Sequence, residues 1–306
     1  MTLSSKNGTP VHSLGIGSWH LWCVFEKDAH GNVFQQQKPD SQNEINGIRR
    51  AIFDNDSNYV DACHHYGYGT TLHLLAEALK DVPREYMRIN GKLEVNYSSR
   101  EEIIDACDRY CDLLNINYLD SYQIHAPMHH VSHKLVVETV LELIKNGKVR
   151  HLSVSNFNTE QLDEITQLYG QPPISHEVHY NLVTRVNEEN GVLDWWKKHG
   201  VQTIVYQPLR RNQIAQANYP LLTWLAEEYQ KTQNQILLNR ICVHKWYNAL
   251  NKSTNPDHIR ENHTSLKFRL SDEDYALLDA FRPDGYQSPE YDYRWNDASK
   301  PKIRKL

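Results

Sequence analysis

Cysteine is scarce, five in 306 residues, and the number is odd. Cys107 and Cys111 stand four apart with no second pair at zinc spacing, so they read as core thiols rather than a metal or disulfide pair. Free thiols fit a reducing compartment. No apolar run is long enough to span a bilayer, and Met1 to Lys6 lacks the apolar stretch of a signal peptide. A cytoplasmic location is therefore expected. The terminal Arg304-Lys305-Leu306 lacks the small first residue of a Ser-Lys-Leu peroxisomal signal. Charge of one sign is not in excess: the net is −5, with acids and bases mixed along the chain. That argues against a broad nucleic-acid surface or a membrane-binding face. No Gly-x-Gly-x-x-Gly follows the first predicted strand, which weakens a doubly wound dinucleotide fold.

What the chain does have is alternation. Apolar strand-like runs at 12–17, 58–61, 86–92, 119–125, 149–154, 174–180, 201–206 and 249–251 are separated by helical periodicities. Helix signals include Ser41 with Glu44 as a capping box, Ser99 of Ser99-x-x-Glu102, Asn158 and Ser271 as caps, and Gly147 as a stop. The helix before Gly147 is expected to turn Val137, Val140, Leu141 and Ile144 inward, and single helices are expected over 188–199 and 236–246. Eight strands alternating with helices and no break in composition predict an α/β fold, a parallel (β/α)8 TIM barrel filling 1–306 as one domain. Residues 18–40 read as a long loop and 284–306 as a tail. Both are rich in aromatics and are candidates to fold over the top face.

In such a barrel the chemistry gathers at the C-terminal ends of the strands. Asp61 ends the second run, and Tyr66 follows it in a glycine-punctuated loop. Lys92 ends the third run, His125 the fourth, Ser155-Asn156 the fifth, Tyr180-Asn181 the sixth and Tyr206 the seventh. Taken singly, Lys92 is a surface lysine and His125 a core histidine. Acid, phenol, amine and imidazole on three consecutive strand ends form a proton-transfer constellation. His64, His65, His129, His130 and His133 read as rim or solvated loop residues. A metal site needs three or four converging ligands, so none is expected.

These residues carry a resemblance. The chain resembles the aldo-keto reductases over about residues 12 to 283. The matching segments are Leu14 to Trp19, Asp61 to Gly69, Gly91-Lys92, Leu119 to His125, Gly147 to Phe157 and Lys252 to Asn262. The resemblance implies reduction of an aldehyde or ketone by nicotinamide hydride, with Asp61, Tyr66, Lys92 and His125 as the catalytic tetrad. Tyr66 would donate the proton, since a lysine cation beside a phenol lowers its pKa. Asp61 would hold Lys92, and His125 would orient the carbonyl oxygen. Ser155, Asn156 and Glu177 then fall at the nicotinamide carboxamide, Tyr206 under its ring, and Gly17 and Ser18 near its ribose. Gln207, Leu209, Arg210 and Arg211 follow along the cofactor. Lys252, Ser253, Asn255 and His258 fall at the 2′-phosphate, with Glu261 and Asn262 at the adenine. Trp19, His65 and Ala126 would line the substrate pocket.

Several positions depart from the family pattern. Glu177 replaces a Gln, and an ionised carboxylate only accepts hydrogen bonds. His258 replaces an Arg, which leaves NAD(H) open beside the expected NADP(H). Arg210 and Arg211 stand where small residues are common, and one of them is expected to replace the missing phosphate charge. Ala126 stands where a bulky aromatic is frequent, and widens the pocket. The expected partner is a small carbonyl compound, with no nucleic acid and no membrane. The oligomeric state is not encoded in any motif. A second class is a nucleotide-binding regulatory barrel, of the channel-subunit kind, with little turnover. A third is an unrelated barrel lyase or isomerase.

Overall fold

A computed structural model describes residues 12–19, 23–27, 33–37, 41–245 and 247–284. The tail from 285 onward lies outside them, as does much of the aromatic loop. The strands are β1 (Leu14–Gly17), β2 (Cys23–Lys27), β3 (Val33–Gln37), β4 (Tyr59–Ala62), β5 (Arg88–Leu93), β6 (Leu119–Ile124), β7 (Val149–Ser155), β8 (Ser175–His179), β9 (Gln202–Tyr206) and β10 (Asn248–Asn251). The order β1-β10-β9-β8-β7-β6-β5-β4 closes on itself, because β1 also pairs with β4, and every barrel pairing is parallel. The predicted (β/α)8 barrel is the observed one.

The helices flanking the first strands are α1 (Gln42–Phe53), α2 (Thr70–Leu79), α3 (Arg100–Leu114), α4 (His133–Lys145) and α5 (Thr159–Tyr169). Their apolar stripes bury Ile48, Leu75, Ile103, Val140 and Leu162 against Val60, Ile89, Ile124 and Leu152 of the strands. Each such fully buried aliphatic side chain contributes about 1.5–3 kcal/mol. Gly91 permits the close approach of β5 to its neighbours: a Cβ there would stand 2.7 Å from Leu119 Cδ1. At the opposite end of the strands from the predicted site, Asp120 accepts the Ile89 amide at 2.9 Å and faces Arg84 at 2.7 Å and Arg150 at 3.6 Å.

Five local expectations are corrected. The stretch 18–40 contains an antiparallel hairpin, β2 with β3, whose Val24-Phe25 and Val33-Phe34 are strong strand formers. Ser41 makes no cap, because its backbone is already helical (φ −88°, ψ −18°) and its hydroxyl finds no amide. Leu141 faces solvent, while Val136 and Leu143 take inward positions. The predicted helix over 188–199 is two, α6 (Val186–Glu189) and α7 (Val192–His199), parted by Gly191 at φ 79°. After α8 (Gln213–Gln216) and α9 (Pro220–Glu228), the 236–246 segment is α10 (Gln233–Asn239) running into a π turn at Arg240–His244. The caps at Ser99, Asn158 and Ser271 form as expected, the last opening α12 (Asp272–Ala280) after α11 (Pro256–Thr264).

Candidate active site

Side chains alternate along a strand, so Arg88, Asn90 and Lys92 share one face of β5, and all three are buried. Lys92 Nζ lies 3.1 Å from Asp61 Oδ2 on β4 and 3.1 Å from the Tyr66 hydroxyl in the 3-10 turn that follows. It also donates to Glu177 Oε1 on β8 at 2.8 Å, a contact no local pattern announces. The second Glu177 oxygen accepts from Gln123 Nε2 at 3.2 Å. His125 closes the group, its ring 6.2 Å from the Tyr66 ring in an edge-on arrangement. The four residues of the expected tetrad therefore converge, with Glu177 as a fifth member inside the cluster.

Two carboxylates face one ammonium, and all three groups are buried. Burial first, then the Glu177 charge, pushes the Asp61 carboxyl up to about 7, against the pull of Lys92. Lys92 stays charged: burial lowers its pKa, but Asp61 and Glu177 raise it further, to well above the ordinary value. The Tyr66 phenol is also pushed up, by burial most of all. Lys92 pulls it down as expected from the sequence, yet burial outweighs the cation and both carboxylates oppose it. Burial, then Lys92, lowers His125 to about 4, so its imidazole is neutral at pH 7.

The expected cofactor residues lie around the same rim. Ser155 and Asn156 end β7. Asn156 Nδ2 donates to Ser155 Oγ at 3.0 Å and to the His125 carbonyl at 3.3 Å, and its Oδ1 accepts the Tyr206 hydroxyl at 3.0 Å. The Tyr206 ring stacks on His179 at 5.2 Å. Beyond it Gln207, Arg210, Arg211 and Asn212 all adopt left-handed backbone, with φ of 52°, 46°, 54° and 68°. The Arg211 guanidinium sits 4.7 Å over the Trp19 ring. Lys252 pairs with Glu44 of α1 at 3.1 Å, and that buried carboxylate is the residue read from sequence as a helix cap. Gly47 of α1 lies so close to the Ser253 loop that a Cβ would meet the Ser253 carbonyl at 2.5 Å. Asn255 caps α11, His258 is exposed in its first turn, Glu261 accepts from Thr232 at 2.6 Å, and Asn262 is buried. Ala126 is buried beside His125, and Gly17 and Ser18 close β1.

A profile of the aldo/keto reductase family matches residues 13–283 of this barrel. The chain belongs to the aldo/keto reductase family. Oxidoreduction of carbonyl compounds is its activity at the coarse level. It is 28% identical to the glyoxal reductase of Bacillus subtilis (strain 168) over 69% of this chain and 74% of the relative. It is 25% identical to the methylglyoxal reductase of Escherichia coli (strain K12) over 89% and 91%. Among solved structures it superposes on a thermostable aldo-keto reductase bound to the inhibitor epalrestat, with TM-score 0.79, 27% identity and coverage of 90% and 97%. It shares its fold with an aldo-keto reductase of Klebsiella pneumoniae in complex with NADPH, at TM-score 0.78 and 23% identity, covering 94% of this chain and 99% of that one.

Two features of this aldo/keto reductase were not legible in its sequence. Glu94, two residues past Lys92, is buried among Cys63, His65 and His125. Tyr110 of α3 pins the ends of β4 and β5 with one hydroxyl. That oxygen accepts the backbone amides of His64 and Lys92, both at 3.1 Å, and lies 2.9 Å from the Lys92 carbonyl, to which it donates. Tyr110→Phe would leave two buried amides without a partner, at about 1–3 kcal/mol of stability. Urea unfolding of the variant checks this, and an unchanged midpoint would show that the pin is dispensable. His64 is not a solvated loop residue: it packs on Tyr110 with ring centroids 3.7 Å apart and contacts the Ala106 carbonyl at 2.9 Å. Among the described residues no helix is long and apolar enough to cross a membrane.

Proposed function

We propose that this protein reduces small aldehydes or ketones with hydride from NADPH, with Tyr66 as proton donor. The observation that carries the reading is Lys92 Nζ held 3.1 Å from the Tyr66 hydroxyl by two buried carboxylates, beside the His125 ring. Bound NADPH would supply the hydride. As negative charge grows on the carbonyl oxygen, Tyr66 gives it the hydroxyl proton and becomes a phenolate. Lys92 stabilises that anion in a water-poor site, where the attraction is strong. Asp61 and Glu177 hold Lys92 in place. His125, neutral, donates an N–H to the oxygen and orients it.

The chain's own residues fit the dinucleotide. Ser18 Oγ is fully buried at the end of β1 and has no partner among the described residues, as a group awaiting a ligand would. The consecutive left-handed residues at Arg210–Asn212 are costly backbone that clusters at ligand clamps. Ser155 and Asn156 would take the carboxamide, Tyr206 the ring face, and Gly17 and Ser18 the ribose. Gln207, Leu209, Arg210 and Arg211 would follow the phosphates. Lys252, Ser253, Asn255 and His258 would take the 2′-phosphate, with Glu261 and Asn262 at the adenine. Glu177, with both oxygens engaged inside the barrel, acts on Lys92 rather than on the carboxamide. Trp19, His65 and Ala126 would border the substrate.

The two relatives named for glyoxal and methylglyoxal favour small dicarbonyls as the first substrates to try. The test is carbonyl-dependent oxidation of NADPH and of NADH over an aldehyde panel. Turnover with preference for NADPH supports the reading. Cofactor binding without turnover on any carbonyl would favour a regulatory barrel, and no binding would defeat both. Lys252→Ala is expected to raise KM for NADPH about tenfold, since it removes a charge-assisted contact. KM for NADH should stay unchanged, and equal losses for the two cofactors would refute a 2′-phosphate role.

A further inference from the structure

Three side chains with metal-binding chemistry converge where β4 and β5 end. Cys63 is buried, and its thiol donates to Glu94 Oε1 across 2.6 Å. His65 Nδ1 lies 3.1 Å from the same oxygen, on a side chain 54% exposed. One ligand atom from each of the three lies within 4.8 Å of the others. The sequence alone offers Cys63 and His65 two residues apart and no third ligand, and the barrel supplies it by bringing the next strand's Glu94 alongside.

We propose that Cys63, His65 and Glu94 form a zinc(II) site beside the carbonyl-binding position. Thiolate, imidazole and carboxylate are a donor set that suits zinc, and three protein ligands leave a fourth position open. One thiolate and one carboxylate balance the ion's two charges, so a buried site ends neutral. The exposed edge of His65 gives the ion a way in. Tetrahedral bonds of ordinary zinc length separate sulfur and oxygen by about 3.5 Å. The thiol and carboxylate therefore part by about 1 Å as the metal replaces the proton between them. The S–H bond breaks, a sulfur–zinc bond forms, and the proton leaves to solvent. Nothing is oxidised or reduced.

The site has a consequence for the reaction. Glu94 Oε1 is 3.9 Å from His125 Nδ1, so an ion held there cancels the Glu94 charge that faces the imidazole orienting the carbonyl. Zinc would therefore inhibit reduction. That consequence rests on the reductase reading, while zinc binding does not.

The experiment uses the full, tag-free chain after dialysis against chelator. Zn2+ is titrated by calorimetry, and Co2+ serves as a spectroscopic probe. Expected are one Zn2+ per chain, a thiolate-to-cobalt absorption band, release of about one proton per ion and falling turnover as zinc is added. Cys63→Ala and Glu94→Gln should lose the cobalt band and weaken zinc binding by at least about tenfold. His65→Ala, a change at the surface, gives the same test where a core variant fails to fold. Cys63→Ala should retain turnover and lose its inhibition by zinc. Absence of binding in the micromolar range, or binding and spectra unchanged in Cys63→Ala, overturns the site. Zinc binding in a chain that reduces no carbonyl would leave the site standing and remove the reductase reading instead.

Discussion

Tyr66→Phe is expected to lower kcat by about 10²–10⁴-fold, the range lost when a positioned acid is removed. The substitution deletes one oxygen and keeps the ring, so the edge-on contact with His125 survives. Lys92 loses its contact to the phenol at 3.1 Å but retains Asp61 at 3.1 Å and Glu177 at 2.8 Å. The fold and the cofactor cradle should be untouched, so cofactor affinity should not move. The phenol matters only when charge develops on the carbonyl oxygen, and kcat and kcat/KM should therefore fall together. Burial holds the proton on Tyr66 at neutral pH, which is the state a proton donor must be in. Retention of more than about a tenth of the wild-type kcat would move the proton to another group, with His125 the first to examine.

The site was legible in sequence to the extent that it is built from strand ends. Asp61, Lys92 and His125 each close or directly follow a strand, and Tyr66 follows one at loop distance, so a period and a count place them. What the sequence hid were contacts across the barrel. Glu177 was placed on the correct strand, but its tie to Lys92 joins residues 85 positions apart and depends on barrel closure. Glu44 shows how a local pattern misleads. Ser41-x-x-Glu44 fits a capping box, but the backbone at Ser41 turns its hydroxyl away, and Glu44 is buried against Lys252, 208 positions distant. Glu94 carries no signal in the sequence, because its partners Cys63 and His65 come from the loop after the neighbouring strand. The hairpin within 18–40 has a weak sequence signal, because Gln35-Gln36-Gln37 interrupt the alternation that marks a strand.

Glu177→Gln should change how stability depends on pH. In the wild type the Asp61 carboxyl titrates at about 7, raised by burial and then by Glu177. In the unfolded chain it titrates near an ordinary Asp value of about 3.9. Between these values the native protein keeps a proton that the unfolded chain has released, so stability falls as pH rises. The contribution is fully present below about 3.9 and is lost as pH passes about 7, with a slope of up to about 1.4 kcal/mol per pH unit. Gln keeps the shape at position 177 and still offers Lys92 an acceptor, but it removes the charge that disfavours ionised Asp61. Asp61, left alone with Lys92, should ionise at lower pH, and the slope between about pH 5 and 7 should flatten. Urea unfolding of both proteins across that range checks it, and equal slopes would show that Glu177 does not govern the Asp61 proton. The same charge acts on the reaction. Above about pH 7 Asp61 gains its charge beside Lys92, and that charge holds the Tyr66 proton more tightly. Reductive kcat should therefore decline through that region in the wild type, and Glu177→Gln should carry its activity to higher pH.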